Sequence, residues 1–313
     1  MVQSADPYRP TPMHDTSAGT SLKLIVERIY NKQPSSLLFH YASLANVKNI
    51  VGGRVLWASD IRYMNDAGEL GTAAQLIQAV SANLLHAGKI TDAEVLSQFA
   101  SWVGHRLENG HALFAACFSQ RGNLLSQWRG YCPAGNGYSL GFDPIELSKT
   151  AAEQRFSLVQ CIYDREQQVK LLTEVVAAVV EHARAFGEAA PSERHPDNRF
   201  HPAFEALELD LLKVAAALKH GAFFEEQEWR VVSEAVTRTD MPEIGYRPGT
   251  SMLVPYVHFK LPSAADGRLR VAQVFVGPTP HQNLAINSMS SFLSSQVDGQ
   301  IDIWSADIPY RTW

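Results

Sequence analysis

The sequence predicts an α+β fold, with mixed and antiparallel strands and helices inserted among them. Three observations carry that prediction. Strand-like runs lie toward both ends of the chain, long amphipathic segments fill its middle, and no repeat at solenoid periods links the two. The pattern argues for one domain over residues 35–313 rather than two independent halves. A stretch rich in Pro, Ser and Thr opens residues 1–34, which read as a flexible tail.

The elements follow in order. "LLFHY" (37–41) and "RVLWAS" (54–59) read as strands around a short helix, which Ser43 caps and Gly52-Gly53 ends. Helical apolar spacing then marks 67–88 and 91–110. "ALFAACFSQ" (112–120) is a near-continuous apolar strand, "NLLSQWRGY" a helix or turn, and "GYSLGFD" (137–143) and "SLVQCIYD" (157–164) two further strands. Residues 165–187 and 203–220 are amphipathic helices joined by a polar loop broken by prolines. Strands at "EWRVVSE", "LVPYVHFKLP" and "VAQVFVG", a helix at 279–296 and a last strand "QIDIWSA" complete the chain.

Composition narrows the function. A net charge of −5 offers no global attraction to nucleic acid or an anionic membrane. The longest apolar stretch, 171–183, is interrupted by Thr173 and Glu174 and falls short of the roughly 20 residues that span a bilayer. The opening residues lack the pattern of a signal peptide, and Cys117, Cys132 and Cys161 show no CxxC spacing; the expectation is a cytoplasmic protein with no metal. Signatures of P-loop, zincin, lipase and dinucleotide-fingerprint proteins are missing, and the histidines are scattered.

The segment "FFEEQEWRVVSE" (223–234) poses the sharpest question, because burying carboxylates is costly unless they are paired or used. In a strand Glu226 and Glu228 project to one face, with Arg230 next along it. Either this is a salt-bridged edge, with Arg230, Arg62 or Arg129 as partner, or it is the acidic centre of a site. Four other clusters join it: His40-Tyr41, Asn65-Asp66 with Glu69, Trp128 with Tyr131, and Tyr138 to Phe142. Each has a structural explanation: a hydrogen-bonded His, a helix cap at Asn65 or Asp66, an aromatic core pair, and a strand with glycines where backbones approach closely.

"FHYASL", "LWASDIRYMND", "FAACFSQ", "LLSQWRGY", "GYSLGFD", "FFEEQEWRVV" and "VFVGP" occur in that order over roughly residues 37–310. The series resembles a bacterial domain-of-unknown-function family, number twenty-nine seventy-one, with Ala42-Ser43 after the His-Tyr as a mild departure. A second resemblance, carried by the His-bearing strand, the "GG.LW.S" return and the late Glu-x-Glu, is to ADP-ribosyltransferase-like domains. It implies a split-sheet core that binds NAD in a cleft between two small sheets. His40 and Tyr41 would contact the dinucleotide, Tyr131 or Tyr138 would stack on nicotinamide, and Arg230 would assist binding. Glu228 would steady the oxocarbenium-like state, and Glu226 would prepare the nucleophile. The expected function is transfer of ADP-ribose from NAD to a protein or nucleic-acid acceptor, or NAD hydrolysis, in a bacterial defence or toxin setting. The alternative is a non-catalytic module that binds a nucleotide or a partner. The acceptor and the oligomeric state are not readable.

Overall fold

The computed structural model describes residues 17–64, 69–90, 92–132, 137–189, 198–236, 243–249, 251–306 and 308. Ten strands form one mixed sheet: β1 (Leu38–Ser43), β2 (Val55–Asp60), β3 (Phe114–Ser119), β4 (Gly137–Phe142), β5 (Phe156–Gln160), β6 (Glu228–Ser233), β7 (Gly245–Pro248), β8 (Leu253–Lys260), β9 (Gln273–Val276) and β10 (Asp302–Ser305). Pairings between these strands are antiparallel except β9 with β10, which is parallel. Strand β7 has no counterpart in the sequence reading; it is a four-residue edge strand hydrogen-bonded to β8, with Gly245 and Pro248 at its ends masking the pattern.

The sheet forks at β3. One edge of β3 pairs with β6 from Ala115↔Val232 to Ser119↔Glu228. The other edge is divided: Ser119 meets Phe39 of β1, while Ala115 and Phe114 meet Ser59 and Asp60 of β2. Residues 116–118 lie between the two arms, β1-β4-β9-β10 on one side and β2-β8-β7 on the other.

Helices cover both faces. On one pack α1 (Ser17–Tyr30), α3 (Glu69–His86), α4 (Ala93–Asn109), α7 (Arg165–Ala189) and α8 (His201–Ala216), around Leu113, Ala115, Val159 and Val232. On the other pack α2 (Leu44–Gly53), α6 (Pro144–Glu153) and α9 (Gln282–Leu293), over Leu38, Ala116, Phe118 and Val231. This segregation follows from strand alternation, which sends Phe114, Ala116 and Phe118 to one face and Ala115 to the other. A short helix, α5 (Leu125–Tyr131), rests on a third cluster of Phe39, Tyr41, Trp128, Cys132 and Ala306.

Two expectations need correction. The flexible tail does not extend to residue 34, because α1 begins at Ser17. Its Leu22, Val26 and Ile29, spaced four and three apart, are buried in the helical layer, with α1 against α7 and α8. Helix α6 was not foreseen, although Asp143 caps it through bonds from the Ile145 and Glu146 amides at 2.9 and 3.0 Å and Pro144 occupies its first turn. The predicted Ser43 cap of α2 is present, its hydroxyl accepting from Asn46 N at 3.4 Å. Asn65 and Asp66, read as a cap for the helix near residue 67, lie outside the described residues.

Candidate functional site

The fork leaves a small, partly open cleft, lined by Phe39, His40, Tyr41, Cys117, Phe118, Ser119, Gln127, Tyr131, Glu226 and Glu228. His40 stands where β1 leaves β3. Its Nδ1 is 2.9 Å from the carbonyl of Cys117, one of the residues that the fork strips of a ladder neighbour. A carbonyl partner can only accept, so the proton lies on Nδ1 and Nε2 is left as a lone-pair acceptor. Burial lowers the His40 pKa, outweighing the bond to Cys117, and the ring is neutral at pH 7.

The opposite wall is acidic. Glu228, the first residue of β6, is 4% exposed, and its Oε1 accepts from Arg230 Nε at 2.6 Å. Its Oε2 accepts from Lys219 Nζ, which also donates to Glu226 at 2.7 Å. Burial works against the Glu228 charge, but Arg230 and Lys219 overcome it and hold the pKa down at about 2. Burial likewise opposes the Lys219 charge, and the acids overcome that too, raising its pKa. Cys117 is held as an unreactive thiol, its pKa raised by burial and then by Glu228. The Glu228 amide donates to the Tyr163 hydroxyl at 2.8 Å, which fixes the start of the strand.

Helix α5 forms the third side. Tyr41 is its anchor: the hydroxyl donates to Arg121 O at 2.6 Å and accepts from Leu124 N at 2.9 Å, and the ring meets Trp128 edge-on at 4.7 Å. Gln127 and Tyr131, one turn apart, both turn to the cleft. Gln127 is 7% exposed and its amide has no hydrogen-bond partner among the described residues; the Tyr131 hydroxyl has none either, and its ring is 40% exposed. Together with His40 Nε2, three polar groups without protein partners face two carboxylates.

The structure thus brings together His40, Tyr41, Tyr131, Glu226 and Glu228, which are up to 188 residues apart, and leaves out two residues of the predicted site. Tyr138 does not line the cleft: it is buried in the core cluster with its β1 partner Ala42. Arg230 does not reach the cleft. It is fully buried behind Glu228, with Nη1 donating to Ala216 O at 3.0 Å. Nor are Glu226 and Glu228 strand neighbours: Glu226 ends the 3₁₀ turn Gly221–Glu226, and Gln227 between them is left-handed, with φ 43° and ψ 52°. Of the proposed arginine partners, Arg230 is the one that pairs with Glu228, while Arg62 is bonded to Asp60. Lys219 and Gln127 were missed; spacing to Tyr131 could have found Gln127.

Among the described residues no helix is long and apolar enough to cross a membrane, and no group of three or more His, Cys, Asp or Glu could hold a metal ion. Residues 127–231, from the Gln127 of α5 through the acidic wall, match a family described as "Protein of unknown function (DUF2971)". No curated protein and no solved structure matches the chain.

Proposed function

We propose that the cleft binds the nicotinamide-riboside end of NAD and that the protein is an ADP-ribosyltransferase-like enzyme. It would cleave the nicotinamide–ribose bond, with transfer of ADP-ribose or hydrolysis as the outcome. The observation that carries this reading is the meeting of His40 Nε2, the Gln127 amide and the Tyr131 ring with Glu226 and Glu228 in one cleft at the fork of the sheet. Tyr131, half open to the cleft, is the tyrosine suited to stack on the pyridinium ring. When the C–N bond breaks, its electron pair goes to the ring nitrogen, neutral nicotinamide leaves, and positive charge develops at the sugar. The ionised Glu228 faces that charge. Water or an acceptor then adds at the sugar carbon, and Glu226, the more exposed acid, takes the nucleophile's proton.

A second reading, binding without turnover, is favoured by one fact: Arg230 and Lys219 already neutralise Glu228. The two separate by titrating NAD into the purified protein and measuring nicotinamide release. We expect binding and release, with Tyr131→Ala weakening binding by about tenfold or more through lost stacking. Binding without release establishes the second reading; no binding removes both.

A further inference from the structure

We infer that Gln127 reads the carboxamide of the ligand's ring, so that the cleft selects a pyridine-3-carboxamide over the corresponding carboxylate. The inference deepens the NAD reading and rests on it. Gln127 is more than nine-tenths buried, lines the cleft, and makes no hydrogen bond to any described group. The amide is not among the polar atoms sealed from solvent without a partner, so its unpaired end opens into the cleft, where a ligand can take it in place of water. A glutamine amide offers both N–H donors and a carbonyl acceptor, and a primary carboxamide offers the same two functions in one plane, so the pair forms two complementary bonds. A carboxylate can satisfy only the donors. It would set an anionic oxygen against the Gln127 carbonyl. Placement supports the assignment: Gln127 lies one helical turn before Tyr131, so a ring stacked on Tyr131 has its 3-substituent within the span of α5.

The test is calorimetric titration of NAD and of its nicotinic-acid analogue into wild-type protein and into Gln127→Leu and Gln127→Ala. Wild type should bind NAD about 100-fold more tightly than the analogue. Both variants should lose about tenfold in NAD affinity and narrow the preference by at least tenfold. The ligand-free variants should melt no lower than wild type, since Gln127 makes no protein bond; this separates lost recognition from lost folding. Variants that keep NAD affinity and the full preference overturn the role of Gln127 while leaving the NAD reading intact. A wild type that binds neither dinucleotide overturns both.

Discussion

Replacing Glu228 with Gln removes the shared anion of Lys219 and Arg230 without changing shape. Two independent routes give the cost. Breaking a buried ion pair by deleting one partner leaves uncompensated charge inside the fold, which costs about 3–5 kcal/mol. Alternatively, the fall of the Glu228 pKa from 4.5 to about 2 corresponds to roughly 3 kcal/mol of stability at neutral pH, at 1.36 kcal/mol per pH unit. The sign follows from the direction of the fall. A carboxylate depressed by folding contributes fully above its unfolded pKa of 4.5, loses its contribution as pH drops from there, and contributes nothing below about 2. Urea unfolding at pH 7 should therefore show Glu228→Gln destabilised by about 3–5 kcal/mol. The gap to wild type should close by roughly 1.4 kcal/mol for each pH unit below 4.5. A loss under about 1 kcal/mol, constant with pH, would place the pair in the class of surface salt bridges and refute the argument. It follows that lost turnover in Glu228→Gln cannot by itself be read as lost chemistry, which is why Tyr131 and Gln127 carry the functional tests.

Two other substitutions test the scaffold. Tyr41→Phe deletes the hydroxyl that serves Arg121 O and Leu124 N; it should cost about 1–3 kcal/mol in urea unfolding and weaken ligand binding through α5, and an unchanged stability would show that the loop is held by other means. Gly137→Ala would place a Cβ 2.2 Å from the Cys132 Cβ, and backbone movement there should lower stability by about 1–3 kcal/mol; a variant as stable as wild type would contradict the tight approach of β4 to the end of α5.

Much of the fold is legible because its strands alternate or run apolar and its helices carry apolar faces. What escaped did so for local reasons. Helix α1 lies behind a polar opening, and α6 is short, though Asp143-Pro144 announces its start. The site is instructive in both directions. The acids at 226 and 228 do converge, but not by strand alternation, since Gln227 turns left-handed and Glu226 belongs to a 3₁₀ turn. Lys219 gathers them from the other side of that turn, a contact no period reveals. The choice between Tyr131 and Tyr138 was not open to alternation: Tyr138 shares the face of Leu140, whose partner His40 lines the cleft, and it is packing in the core that keeps Tyr138 out.

The acidic wall also bears on how fast a ligand arrives. Glu226 and Glu228 carry two negative charges and Lys219 and Arg230 two positive ones, with Lys219 bonded to both acids and Arg230 to Glu228. From outside, the wall is a local dipole whose field decays over a few ångströms rather than a beacon that draws charge from solution. This wall then adds little steering of its own to encounter, and the differences it makes among ligands are differences in how long each one stays.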